Sequence, residues 1–259
     1  MNTTGCAMKR LAIDVRGVSK VFESDSGRVE ALKDVNLQVP HGVFVSVVGP
    51  SGCGKTSLMR IVGDLETPTS GTVRVNGKLP AEARRAREIG VVFQSPALLG
   101  WRTVEENVGL PGEIFNDSDV ASRAAEMVRT VGLEGFEAAY PRQLSGGMQS
   151  RVAIARALTY RPSVLLMDEP FGALDEMTRE RMQLELLRIW RGTKPAVLFI
   201  THSIPEAVLL SDRVVVMSPR PGGLVGDVAV DFPRPRNVGL LSQPRFVEMV
   251  AHLRTLMAG

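Results

Sequence analysis

Apolar positions recur along this chain with two different periods. Short runs rich in β-branched residues at 11–15, 35–39, 43–48, 72–75, 91–93, 164–167, 197–200 and 214–217 predict strands. Several are apolar on both faces, the pattern of strands buried in a helix-covered parallel sheet. The early runs alternate more and lie close together, which predicts a small antiparallel layer. Helical periodicity appears at 55–62, 179–191 and 204–210. The stretch 103–159 reads as helix, with breaks at Pro111-Gly112, Gly132 and Pro141. It predicts a helical lobe, about 97–159, inserted into an α/β core at about 11–96 and 160–226. Beyond Met217, Ser218-Pro219-Arg220-Pro221-Gly222-Gly223 and Pro233-Arg234-Pro235-Arg236 punctuate loops. A C-terminal extension, about 227–259, then ends in an amphipathic helix at 243–257. No internal repeat or low-complexity segment interrupts this order.

Composition narrows the classes. Of 259 residues, 44% are hydrophobic and 23% charged, which excludes a disordered or fibrous chain. The net charge of +3 is compatible with nucleic acid, an anionic membrane face or a phosphate ligand. The densest basic run, Arg84-Arg85-Ala86-Arg87, lies beside Glu82 and Glu88 and reads as a solvated helix face. Aromatic residues are 5% of the chain, too sparse for a base-stacking platform, so no nucleic-acid partner is expected. Cys6 and Cys53 make neither a disulfide framework nor a metal site. The Gly5-Cys6 pair suggests a lipid-anchored cysteine but lacks the apolar segment a secretory signal needs. The longest apolar runs fall far short of the roughly 20 residues of a membrane span, so a partner would have to supply any span.

The chemistry begins at Gly49-Pro50-Ser51-Gly52-Cys53-Gly54-Lys55-Thr56, with Ser57 next along. This is the phosphate-loop pattern, placed between an apolar strand and a helix. Its glycines let successive N–H groups turn toward one anion, and the helix N-terminus adds partial positive charge. Lys55 brings a compact full charge to the terminal phosphates, and the Thr56 hydroxyl is placed to ligate Mg²⁺. There is no Gly-x-Gly-x-x-Gly, which disfavours a dinucleotide fold.

A second element is Val164-Leu165-Leu166-Met167-Asp168-Glu169, an apolar strand ending in two carboxylates. Charge at a buried strand end needs a partner. A metal ion held by Asp168 and a water polarised by Glu169 supply such partners. Gln94 and His202 also follow predicted strands, and strand C-termini converge on the ligand in sheets of this kind. Gln94 is expected at Mg²⁺ or the attacking water, and His202 at the γ-phosphate.

Leu144-Ser145-Gly146-Gly147-Met148-Gln149-Ser150-Arg151 forms a second glycine-rich helix start, on the helical lobe. Two phosphate-cradling elements on separate lobes suggest that each serves a different molecule's nucleotide. Here the sequence strongly resembles the ABC transporter ATPases over about residues 11–226. The resemblance implies an ATP-hydrolysing subunit that pairs head to tail with a second copy. ATP would lie between one phosphate loop and the partner's Ser145, Gly146, Gly147 and Gln149. It further implies that Phe22 stacks on adenine, that Gln94 couples to the transporter, that Ala173-Leu174-Asp175 contacts the dimer partner and that His202 acts as the switch residue. Transmembrane permease subunits and a substrate-binding protein follow as partners, with the chain peripheral on the cytoplasmic face of the inner membrane.

Three segments look like the nitrate, sulfonate and taurine importer group: 97–104, 170–179 and 214–222. These imply import of a small anionic solute; the alternative, the ATPase of an exporter or lipid transporter, would share every catalytic residue, and only these segments argue against it. A soluble ABC protein of DNA repair or translation would carry two nucleotide domains or a long coiled coil, and this chain has one phosphate loop and no sustained heptads. The chain departs from the group's pattern at Gly100, Ser150 and Ser203, where Pro, Gln and Asp are usual. None of the three removes a catalytic group. Cys53, inside the phosphate loop, is expected to make the protein sensitive to thiol reagents.

Overall fold

The computed structural model describes residues 10–24, 27–117 and 119–258, so the Gly5-Cys6 pair lies outside the described residues. The chain opens with β1 (Leu11–Ser24), β2 (Gly27–Pro40), β3 (Phe44–Val48), α1 (Lys55–Val62), β4 (Ser70–Val75), α2 (Pro80–Arg85) and β5 (Ile89–Val92). Three helices follow, α3 (Val104–Phe115), α4 (Val120–Thr130) and α5 (Gly146–Leu158). The remainder runs β6 (Val164–Asp168), α6 (Glu176–Thr193), β7 (Ala196–Ile200), α7 (Ile204–Leu210), β8 (Arg213–Met217), β9 (Leu224–Ala229) and α8 (Pro244–Ala258).

Two sheets result. An antiparallel layer has the order β2-β1-β4, and a larger sheet has the order β5-β6-β7-β3-β8-β9, parallel except for its last strand. Every residue of β3, β6 and β7 is buried, as expected for strands covered on both faces. One face packs against α1 and the antiparallel layer through Val45, Val47, Leu58 and Ile61. The other packs against the helical segment and α6 through Phe44, Phe171, Trp190 and Phe199. Those four rings touch in succession, with centroids 5.8–5.9 Å apart in tilted or edge-on geometry. Each such ring contributes roughly 1.5–3 kcal/mol of transfer free energy when buried.

The pattern along the chain predicted most of these elements, and the differences have local causes. Pro111-Gly112 does not break the helical segment but sits inside α3. The proline removes only the bond its N–H would have given to the Asn107 carbonyl. Meanwhile the buried Asn107 side chain ties the helix start to Leu99, Arg102 and Thr103 by four hydrogen bonds of 2.9–3.1 Å. The break comes instead at Asn116, whose φ of 53° ends the helix in the left-handed region. β9 pairs antiparallel with β8 and runs across residue 226, so the larger sheet extends past the boundary expected there.

The C-terminal segment packs back onto α7 and the sheet through Phe246, Val250 and Leu253. Arg236 fixes this arrangement. It is buried and donates to the carbonyls of Val208, Leu209, Ser211, Val230 and Phe232 at 2.7–3.3 Å. Burial, with Arg234 nearby, pushes its guanidinium down to about 10. The carbonyls left over at the α7 C-terminus favour a cation there.

Candidate active site

β3 lies between β7 and β8, and its end at Val48 delivers the chain into residues 49–54 and then α1. Gly52 and Gly54 take left-handed φ values of 75° and 103°. A Cβ on Gly54 would meet the Ala31 carbonyl and the Leu32 side chain at 2.7 Å, so only glycine fits against β2 there. No side chain caps the N-terminus of α1, in contrast to α3, α5, α6 and α7. Its first-turn N–H groups are therefore available to an anion. Buried Lys55 folds its ammonium over the loop, donating to the Gly49 and Pro50 carbonyls at 2.8 and 2.9 Å.

This loop forms one wall of a cavity of ≈ 590 Å³. Ser51, Gly52, Gly54, Lys55, Thr56 and Ser57 line one side, and Phe22, Val29 and Ala31 present carbon on another. Gln94, Glu169 and His202 close the third side. An apolar wall facing a polyanion cradle fits a ligand with a flat ring and a phosphate tail. Gly49, Pro50 and Cys53 form the back of the loop and do not line the cavity. The Cys53 thiol is 1% exposed, tucked under the loop with its sulfur 3.8 Å from Lys55 Nζ. This burial runs against ready access of a thiol reagent to Cys53.

Three strand ends meet on one carboxylate. Glu169 follows β6 with a φ of 44° and donates its N–H to the Ile200 carbonyl at 2.9 Å. A left-handed backbone is strained for a residue with a Cβ and is a feature of functional turns. It presents Glu169 Oε2 to Gln94 Nε2 at 3.3 Å and to His202 Nδ1 at 3.1 Å. Asp168 sits one residue back, buried, with the Thr56 side chain hydrogen-bonded to it. Burial pushes its carboxyl above the usual aspartate range, and the Thr56 bond opposes this. A cation at Thr56 and Asp168 would relieve that desolvation. Among the described residues no cluster of three or more His, Cys, Asp or Glu could hold a metal alone. A cation here therefore fits best with additional oxygens supplied by the ligand.

The His202 turn rests on a buried polar network that the sequence did not disclose. Thr201 Oγ1 bonds Glu206, and Glu206 Oε1 accepts from Gln183 Nε2 at 2.8 Å. Burial pushes the Glu206 carboxyl up, with the Thr201 and Gln183 bonds opposing. Ser203, where the importer group has Asp, still caps α7 by accepting from the Glu206 N–H at 3.4 Å. Gly100 has open space around it, and Ser150 bonds back to the Gly146 carbonyl at 3.1 Å.

Ser145, Gly146, Gly147 and Gln149 do not line the cavity. They lie at the start of α5, where the Ser145 side chain accepts from the Met148 N–H at 3.2 Å. Gly147 packs on Leu174, and a Cβ there would come within 2.7 Å of that side chain. Gln149 directs its amide to the Pro141 and Leu144 carbonyls at 3.0 and 3.3 Å, bracing the turn before the helix. The residues that sequence reasoning missed at the cavity are Val29, Ala31 and Arg220. For Val29 the signal was available, since Phe22 pairs with it across β1 and β2, whereas Ala31 is the extra residue of a bulge between the Lys20–Leu32 and Val21–Glu30 pairs, where alternation fails. Arg220 comes from a distant loop and carries no local signal. No helix among the described residues is long and apolar enough to cross a membrane.

A family model described as ABC transporter matches residues 32–172. An ABC transporter ATP-binding protein of Methanocaldococcus jannaschii is 49% identical, with 88% of this chain and 85% of that protein covered. An aliphatic sulfonates import ATP-binding protein of Bacillus thuringiensis subsp. konkukian is 43% identical, over 88% and 89% of the two chains. A nitrate import ATP-binding protein of Synechocystis is 40% identical over 95% of each. Among solved structures, the dimeric post-hydrolysis state of an ATP-binding cassette bound to ADP and Pi superposes with a TM-score of 0.77. It is 34% identical, with 85% of this chain and all of that one covered.

Proposed function

The chain belongs to the ABC transporter family of ATP-binding subunits, and from that membership we propose that it hydrolyses ATP to power import of a small anionic solute through separate membrane subunits. The observation that carries the reading is the meeting of Gln94, Glu169 and His202 across one cavity from Lys55 and the open N-terminus of α1. In it Phe22, Val29 and Ala31 receive the adenine, and Ser51, Gly52 and residues 54–57 cradle the phosphates. Lys55 exchanges its bonds to the loop carbonyls for phosphate oxygens, which offsets their charge. Thr56 and Asp168, with Gln94, would hold Mg²⁺, which when bound neutralises phosphate charge. Glu169 orients the attacking water and accepts its proton, and His202 meets the γ-phosphate.

Ser145, Gly146 and Gly147 are proposed to serve the nucleotide of a second copy. Ser145 and Gly146 are exposed and Gly147 half-buried, all three away from the chain's own cavity and beside Ala173 and Leu174. A head-to-tail pair would close each site with the other chain's α5 N-terminus. Residues 97–159 act in this reading as a lobe that moves against the core, docking on permease subunits at the cytoplasmic face of the cell membrane. The solute class, nitrate, sulfonate or taurine, rests on relatives named for nitrate and sulfonate import and on segments 97–104, 170–179 and 214–222. A substrate-binding protein completes the complex.

Two measurements test this. Phosphate release from ATP by the purified chain should require Mg²⁺ and be abolished in Lys55→Ala; equal turnover in that variant would refute the assigned site. Affinity capture of the tagged chain from detergent-solubilised native membranes should bring down a multi-span permease with a binding protein. Recovery of a permease alone would favour export or lipid transport, and recovery of soluble partners alone would overturn the transport reading.

A further inference from the structure

Arg220 lies in the turn between β8 and β9 and reaches the phosphate loop from the strand next to β3. Its Nε and Nη2 donate to the Gly52 carbonyl at 3.2 and 3.1 Å. It lines the same cavity as Lys55, Thr56, Glu169 and His202. Among the described residues its hydrogen bonds are those two to Gly52, and none runs from Nη1. We propose that Arg220 is a second cationic binding residue of the ATP site, which holds the outward face of the phosphate loop and offers its remaining donors to the nucleotide's phosphate tail. This rests on the nucleotide-site reading above and adds to it a residue outside the phosphate loop and outside the strand-end cluster.

The turn is built to hold that side chain in place. The Ser218 N–H donates to the Gly223 carbonyl at 2.9 Å, and Ser218 Oγ accepts from the Gly223 N–H at 3.0 Å. The Gly222 N–H donates to the Ala31 carbonyl, and the Lys33 N–H to the Gly222 carbonyl, both at 3.0 Å. These bonds stitch the turn to β2 on the adenine-facing side. A Cβ on Gly222 would lie 1.9 Å from the Cys53 carbonyl, so backbone rests on backbone where the turn crosses the phosphate loop. Residues 218–223 are thus a rigid strap, and Arg220 is the charge it carries.

The physical role follows from the loop's own chemistry. A cradle that points N–H groups inward turns carbonyls outward, and each of those needs a donor. Lys55 takes the Gly49 and Pro50 carbonyls and Arg220 takes that of Gly52. When phosphate draws Lys55 inward, Arg220 remains as the cation anchoring the loop's outer face. A guanidinium suits both tasks at once because its Nε–Nη2 edge holds the carbonyl while the separate Nη1 donors stay spread for a second acceptor, a wider and more rigid fork than a compact ammonium presents.

The test is nucleotide affinity by fluorescence titration with mant-ATP, mant-ADP and mant-AMP, at low and high salt, for wild type, Arg220→Met and Arg220→Lys. Melting temperature without nucleotide is recorded for each. Arg220→Met should weaken mant-ATP binding about tenfold, the scale of a lost charge-assisted hydrogen bond. It should weaken mant-AMP far less, flatten the salt dependence and leave the nucleotide-free melting temperature unchanged. Arg220→Lys should recover the salt dependence and part of the affinity. Unchanged mant-ATP affinity in Arg220→Met, or equal losses for all three nucleotides, overturns the proposal while the nucleotide site stands. Failure of the wild type to bind mant-ATP would refute the nucleotide-site reading and the proposal with it.

Discussion

Glu169 Oε2 lies 3.1 Å from His202 Nδ1, joining the ends of β6 and β7 through a single carboxylate oxygen. The same oxygen receives the Gln94 amide at 3.3 Å, so three turns that are far apart in sequence share one acceptor. A carboxylate held in this way is aimed before any ligand arrives, which removes reorganisation from the reaction step.

Replacing Glu169 with Gln keeps the shape and removes the proposed base. Phosphate release should fall by about 100-fold or more, the usual scale of positioned acid–base catalysis. ATP binding should persist, and size-exclusion chromatography with ATP should show a dimer that fails to dissociate. Turnover at the wild-type rate would refute the role given to Glu169.

Ser145 separates the two halves of the proposed composite site. Because it lies outside its own chain's cavity, Ser145→Ala should leave mant-ATP affinity of the monomer unchanged. Steady-state hydrolysis should drop about tenfold, through loss of one hydrogen bond to the partner's phosphate. Parallel losses of binding and turnover would place Ser145 in its own chain's site and remove the head-to-tail reading.

Cys53 is buried at the back of the phosphate loop, with its sulfur against Lys55. Reaction with a thiol reagent should therefore be limited by local opening. Labelling followed by mass spectrometry of the 53-containing peptide should be slow in native protein and fast in denaturant. Rapid labelling of the native state would show that the loop samples an open form.

Arg236 predicts where the C-terminal segment gains its stability. Arg236→Met would strip a cation from five carbonyls at the end of α7 and the start of the extension. Urea denaturation should reveal a loss of about 3 kcal/mol, typical of removing charged hydrogen bonds and leaving buried acceptors unpaired. A change within a few tenths of wild type would mean that water replaces the guanidinium without cost.

Glu206 gives a pH dependence whose sign can be worked out. Burial raises its carboxyl above the ordinary glutamate value of about 4.3, so between that value and the raised one the folded state holds more protons than the unfolded. Its contribution to stability is thus fully present at low pH and is lost as pH rises through the folded value. Arg179 and His202 oppose the shift from nearby. Thermal melts from pH 4 upward should show wild type losing ground relative to Glu206→Gln as pH rises, and parallel curves would remove Glu206 as the source.

Much of this protein is written in its local sequence, because the relevant physics is local. Five consecutive buried residues in β3, β6 and β7 announce a covered parallel sheet from their apolar runs alone. The phosphate loop and the Asp168-Glu169 strand end are legible because the backbone conformations and charges they need dictate residue types at neighbouring positions. Gln94 and His202 were readable at one remove, since strand ends converge wherever such a sheet forms. What the tertiary structure alone decided are relations between residues distant in sequence. Arg220 meets Gly52 across 168 residues, Gln183 meets Glu206 across 23, and Arg236 finds carbonyls up to 28 residues away. The burial of Cys53 was equally invisible, because whether a side chain in the loop turns inward beside Gly49 and Lys55 or outward to solvent is settled by tertiary packing. Pattern fixes which elements form and which backbone turns they require; the packing of side chains from separate elements decides who is buried, who is paired and who faces the ligand.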